Sequence, residues 1–247
     1  GLTATLERPD QAHLELDRLG GAVCFRKEIT ELAGGVLADY RTEILEVHLS
    51  EEDEFAYAEH RGRYRQFVEI CGIRMGKGGW QRFLREAARS EDGRRAFRSW
   101  RESRRILQEC PAKLELLAEL LQRHAGQRVL VFTNDNATVY RISRALLLPS
   151  ITHQTDVKER KRLLEAFGTG ELPVLVTSRV LNEGVDLPSA EVAIVLSGTG
   201  TVREHVQRLG RILRQAKDKS AVLYEVIVAD TTEARTSERR RDHVAYR

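Results

Sequence analysis

The sequence predicts an α/β protein: a mostly parallel sheet flanked by helices, interrupted by an inserted helical hairpin. Three observations carry this. "RVLVF" (Arg128–Phe132) is a nearly continuous apolar run, as in strands buried on both faces. Beyond Gly126, short strand-like and helix-like segments alternate at the spacing of βαβ units. Residues 51–106 differ in composition from their surroundings. Within them, Arg61–Arg105 carry 14 Lys and Arg against 5 Asp and Glu, a local charge of +9 in a chain whose net charge is +3.

The bulk composition sets bounds on the class. The 247 residues, 41% hydrophobic and 31% charged, suffice for one large globular domain with a sizeable insertion. No apolar run is long enough to span a bilayer, so no membrane association is expected. Cys24, Cys71 and Cys110 are far apart and show no ligand spacing. They read as small buried hydrophobes in a reducing compartment, with no metal site and no disulfide framework. The opening "GLTATLERPD" starts at Gly1 like a segment cut from a longer protein, and the chain is expected to be a fragment.

The elements follow in order. "RTEILEVHL" (Arg41–Leu49) alternates and predicts a strand. Ser50 is a suitable N-cap for a helix running to Gly72, with Asp53 near its positive end. "RMGKGGW" is a glycine-rich turn. Ser90 caps a second long helix, and Pro111 restarts a third that reaches Gly126. Strand Arg128–Phe132 is followed by a helix over Ala137–Leu147, the short strand "SITH" and a helix over Thr155–Phe167. "LPVLVTS" and "EVAIVLS" predict strands, "TVREHVQRLGRILR" a helix and "AVLYEVIV" a last strand. In such sheets ligands bind beyond the carboxyl ends of the strands, which directs attention to the loops after Phe132, Ser178 and Ser197.

The insertion holds Trp80 and Trp100 with Tyr64, Phe67, Phe83 and Phe97. Basic residues interleaved with aromatics can hold a phosphate backbone and stack bases. The aromatics also suit the core of a small helical hairpin, and that reading is preferred for them. The one-sided arginine excess is read as functional, with Arg94, Arg95 and Arg98 as the candidate backbone contacts.

Two further segments carry chemistry. In "VTSRVLNEGVDLPSA", Gly184 permits close backbone approach to a ligand, and the Asp186 carboxylate can accept ribose hydroxyls. Ordinary turn chemistry around Pro188 is the alternative. In "HVQRLGRILRQ", Arg208, Arg211 and Arg214 run along one helix flank while Val206, Leu209 and Leu213 turn inward. Gly210 costs such a helix about 1 kcal/mol against alanine, so it marks a close approach by another surface. Planar, permanently charged guanidinium groups suit phosphate; a solvated cationic face is the alternative.

"TAT" (Thr3–Thr5), "VLVFTN" (Val129–Asn134), "VTSRVLNEGVDLP" (Val176–Pro188) and "QRLGRILR" (Gln207–Arg214) stand in the order of superfamily 2 helicase motifs III to VI. The last, with "ITHQTD", most resembles the XPB group of DNA repair and transcription helicases in its archaeal or bacterial form. The resemblance implies a RecA-like second helicase domain over 41–247, a remnant of the first motor domain over 1–40 and a thumb-like insertion at 51–106. It implies that Arg211 and Arg214 act as arginine fingers on ATP, with Gln207, Arg208, Gly184 and Asp186 lining the nucleotide cleft. Thr133, Thr177 and Ser178 would contact the nucleic-acid backbone, and Thr3 and Thr5 would couple ATP state to strand movement. The implied partners are DNA, the first motor domain and a repair nuclease. The implied location is the prokaryotic cytosol or nucleoid.

One departure qualifies this. The chain has no G-x-x-x-x-G-K-[ST] loop; "GKGG" at Gly76 lacks its spacing and hydroxyl. "EEDEF" follows the motif III match, whereas the family's acidic box precedes it. ATP and Mg2+ would therefore be held mainly by another domain, leaving the chain catalytically incomplete alone. An RNA helicase, a double-strand translocase and a non-catalytic nucleic-acid-binding module remain the alternatives.

Overall fold

The computed structural model describes residues 15, 39–76, 78–178, 190–196 and 220–241. In chain order the elements are β1 (Asp39–Val47), α1 (Glu51–Ile70), α2 (Gly79–Arg89), α3 (Glu91–Glu109), α4 (Pro111–Arg123), β2 (Val129–Phe132), α5 (Asn136–Leu146), β3 (Ser150–Ile151), α6 (Val157–Thr169), β4 (Val174–Thr177), β5 (Val192–Val195), β6 (Ser220–Val228) and α7 (Thr232–Arg241). They fall into two compact units, His48–Pro111 and the remainder of the chain.

The larger unit is built on six parallel strands in the order β1-β6-β5-β2-β4-β3. All four residues of β2 and of β5 are buried, which explains their unbroken apolar sequence. Leu130, Phe132, Leu175, Val195 and Leu223 form one cluster at 0–1% exposure. Each contributes roughly 1.5–3 kcal/mol by leaving water. Asp135 starts α5 by accepting from the Thr138 amide (2.9 Å), and Asp156 starts α6 by accepting from the Lys158 amide (2.8 Å). A bidentate Arg128–Glu191 pair, closest at 2.8 Å from Nη2 to Oε1, clamps the residues that lead into β2 and β5.

The smaller unit differs from the predicted hairpin. It runs from His48 to Pro111 rather than over 51–106, and it has three helices. The segment after the glycine turn is helical because Trp80, Phe83, Leu84 and Ala87 recur at i, i+3, i+4 and i+7. Ser50 caps α1 through the Asp53 amide (3.2 Å), and Ser90 caps α3 through the Gly93 amide (3.0 Å). Four acidic residues fill the first turn of α1, where the helix dipole favours them. The aromatics form this unit's core, with Phe83 fully buried at its centre. Trp80 and Trp100 meet at 4.5 Å, Phe97 stacks on Trp100 at 5.8 Å, and Tyr64 meets Phe83 edge-on at 5.2 Å. α3 approaches α2 so closely that a Cβ on Gly93 would lie 2.6 Å from the Ala87 Cα.

Other expectations shift slightly. The first strand is Asp39–Val47 rather than Arg41–Leu49, and α7 follows the last predicted strand. Cys110 is buried, but Cys71 is only half-buried against the aromatic core; Cys24 lies outside the described residues.

Candidate nucleic-acid interface

The parallel register brings Ile151, Thr177, Phe132 and Val195 into one row at the carboxyl ends of four neighbouring strands. One residue further on, Thr152, Ser178, Thr133 and Leu196 form a second row, all at most 3% exposed. Backbone bonds continue the ladder there: Ser178 N donates to Ile151 O (3.4 Å), Thr133 N to Thr177 O (2.9 Å) and Leu196 N to Phe132 O (3.0 Å). Three hydroxyl residues thus stand side by side where such sheets bind ligands. Thr133, Thr177 and Ser178, the backbone contacts expected from the sequence, all lie at this edge.

Their hydroxyls are engaged locally. Thr133 Oγ1 donates to Asp135 O (2.9 Å), and Thr177 Oγ1 donates to Ser178 O (3.1 Å). Both protons are used on the protein's own carbonyls, so these side chains shape the turns out of β2 and β4. A phosphate oxygen, which only accepts, would have to displace one of those carbonyls or use a backbone N–H.

The same edge holds a polar network beyond the residues expected from the sequence. Tyr140 OH donates to Gln154 Oε1 (2.8 Å) and lies 3.0 Å from Thr152 Oγ1. The Asn136 amide donates to His153 Nδ1 (2.7 Å). Arg160 reaches the Thr152 and Thr155 carbonyls, both at 3.3 Å, and its buried Nε has no partner among the described residues. The signal was the run of side-chain donors and acceptors in "THQTD" directly after a strand.

In the helical unit, the three arginines singled out from the sequence occupy different environments. Arg94 donates to Ala88 O (3.4 Å), and Arg95 is paired with Glu91 (2.6 Å). Arg98 lines a groove between α1 and α3 and has no ion pair among the described residues. Elsewhere, Arg61 stacks over the Tyr64 ring at 5.0 Å. Burial raises the Tyr64 phenol above its ordinary range, and Arg61 partly offsets that. Glu102 and Glu109 hold the Arg105 guanidinium even more firmly charged than usual.

Thr3, Thr5, Gly184, Asp186, Gln207, Arg208, Arg211 and Arg214 lie outside the described residues. Among the described residues no group of three His, Cys, Asp or Glu could hold a metal ion, and no helix is long and apolar enough to cross a membrane.

The six-stranded parallel sheet flanked by helices is a RecA-like fold, with hydroxyl residues along its carboxyl edge. Residues 112–216 match the helicase conserved C-terminal domain, a span that includes "VTSRVLNEGVDLP" and "QRLGRILR". Among solved structures the chain is similar to the helicase domain of Pyrococcus furiosus Hef, with TM-score 0.58 and 15% identity over 94% of this chain and 64% of that one. It is also similar to the C-terminal part of the Fun30 ATPase domain, with TM-score 0.57 and 12% identity over 82% of this chain and 89% of that one. These two establish the fold.

Curated relatives narrow the class. The chain is 40% identical to the DNA 3'-5' translocase XPB2 of Sulfurisphaera tokodaii, over 98% of this chain and 55% of that protein. It is 39% identical to the DNA 3'-5' helicase XPB of Kineococcus radiotolerans, over 55% of this chain and 24% of that protein. Residues 112–216 thus carry a helicase conserved C-terminal domain, and the chain is similar to relatives of XPB type. It spans about half the length, or less, of these relatives.

Proposed function

We propose that the chain is the C-terminal half of an ATP-dependent 3'-5' DNA helicase or translocase that opens DNA in nucleotide excision repair or transcription. What chiefly supports this is the match over 112–216 together with the row Thr152–Ser178–Thr133 at the carboxyl edge of a parallel sheet. Arg211 and Arg214 act as fingers on the γ-phosphoryl of ATP, and Gln207, Arg208, Gly184 and Asp186 line the nucleotide. Most of the ATP site, including the Mg2+ ligands, belongs to another motor domain, since the sequence lacks a phosphate loop. Thr133, Thr177 and Ser178 shape the turns that meet the DNA backbone, Thr3 and Thr5 couple the two domains, and the basic helical unit grips DNA. The partners are DNA, the first motor domain and a repair nuclease, in the prokaryotic cytosol or nucleoid.

The deciding experiment uses the full-length parent. Arg211→Ala or Arg214→Ala should lower kcat by roughly 10³-fold or more while ATP binding stays within several-fold, because a finger acts on charge that develops in the transition state. A change confined to KM would make that arginine a ground-state binder and overturn its role.

A further inference from the structure

A groove of about 1000 Å3 runs between α1 and α3. That is at the top of the range for ligand clefts, ~300–1,000 Å3. Its apolar strip comes from Phe67 and Ile70, one helical turn apart at the end of α1. Phe67 is half-buried against Phe83, whereas Ile70 is 77% exposed.

The charges on the rim are unequally matched. Arg63 is held by Glu59, and Arg95 by Glu91 at 2.6 Å. Of the two acids that line the groove, Glu102 is already engaged by Arg105 at 2.7 Å, and Asp92 lies 4.0 Å from Arg95. That leaves Arg98 and Arg101, spaced i, i+3 on α3, with no ion pair among the described residues. The groove therefore offers two uncompensated guanidinium groups beside an exposed apolar strip.

We propose that this groove is a subsite for single-stranded nucleic acid, with phosphates on Arg98 and Arg101 and a base face against Phe67 and Ile70. It rests on the reading of the helical unit as a DNA grip and adds which strand form it takes. A duplex turns its phosphates outward and keeps its bases stacked inside. It would satisfy the arginines but leave Ile70 in water. A single strand presents both chemistries at once. Arg94, whose guanidinium is turned to the Ala88 carbonyl, does not line this groove.

The test follows fluorescence anisotropy of the 247-residue chain with labelled oligothymidylate and with a duplex of equal length, across a salt series. Near-UV circular dichroism of the aromatic core checks the fold of each variant. Ile70→Ser should weaken single-strand binding roughly tenfold and leave duplex binding unchanged. Arg98→Ala with Arg101→Ala should weaken both and lower the single-strand salt slope by ~1.4, for two phosphates at ~0.7 each. The subsite is overturned if Ile70→Ser leaves single-strand affinity intact or weakens duplex binding equally. It is also overturned if polyglutamate displaces the oligonucleotide as well as unlabelled oligothymidylate does, since the groove would then fit an acidic peptide. Salt-dependent binding of both DNA forms with Ile70 indifferent removes this inference alone. A folded chain that binds neither form removes the DNA-grip reading with it.

Discussion

The indole rings of Trp80 and Trp100 lie 4.5 Å apart at 45°, joining α2 to α3 against the core of the helical unit. Trp80 also meets Phe83 and Trp100 also meets Phe97, so both rings pack against the core. Trp80→Ala or Trp100→Ala should destabilise this unit by about 3 kcal/mol, the low end for such truncations because both residues are partly exposed. Chemical denaturation followed by near-UV dichroism measures it. A unit that stays equally stable while single-strand binding drops would make the rings stacking platforms instead.

Gly93→Ala sets two effects against each other. Helix propensity favours alanine by about 1 kcal/mol. The added Cβ, however, would meet Ala87 Cα at 2.6 Å, Ala87 O at 2.8 Å and Glu86 O at 2.9 Å. These are backbone atoms of a packed neighbour, and overpacking of this kind costs about 1–3 kcal/mol. The net effect should be destabilising, read as a lower denaturation midpoint with α3 still helical.

Lys113 Nζ and Glu233 Oε2 lie 2.6 Å apart, with side chains only 4% and 19% exposed. Glu233 Oε2 also accepts from the Val228 amide (3.1 Å), so this one pair ties α4 and α7 to the end of β6. Lys113→Met should cost about 3 kcal/mol by leaving a mostly buried carboxylate without its cation. The double variant Lys113→Met with Glu233→Gln should recover much of the loss. A double-mutant cycle showing no coupling would remove the pair's structural role.

Charge reversal at Arg94, Arg95 and Arg98 in the parent protein should flatten the salt dependence of DNA binding and reduce unwinding, with ATP affinity spared. Phosphate contacts release counterions, so log affinity falls by ~0.7–0.9 per neutralised phosphate with log salt. An unchanged slope would make these arginines a solvated face.

The 247-residue chain alone should hydrolyse ATP no faster than background, with or without DNA, because the sequence holds no phosphate loop to position the nucleotide. DNA-stimulated turnover by the isolated chain would contradict the split-site reading.

The sequence by itself determined the parallel sheet. β2 and β5 are apolar at every position because both faces are covered, and that burial is written into four consecutive residues. It also determined the helix starts at Ser50, Ser90 and Pro111, since a capping hydroxyl or a proline acts on its own backbone within a few residues. α2 was equally present in the spacing of Trp80, Phe83, Leu84 and Ala87, but the glycines before it suggested a loop. Other features depended on contacts between residues distant in sequence. Thr133 and Thr177 become neighbours through strand pairing, and their hydroxyl protons go to carbonyls created by the turns that follow. Arg94, Arg95 and Arg98 read alike in the sequence as part of one +9 stretch. Their surroundings differ all the same: Arg94 meets the Ala88 carbonyl of the preceding helix, Arg95 pairs with Glu91 one turn back on its own helix, and Arg98 lines a groove with Arg101, because a side chain's partners depend on which face of the helix it occupies.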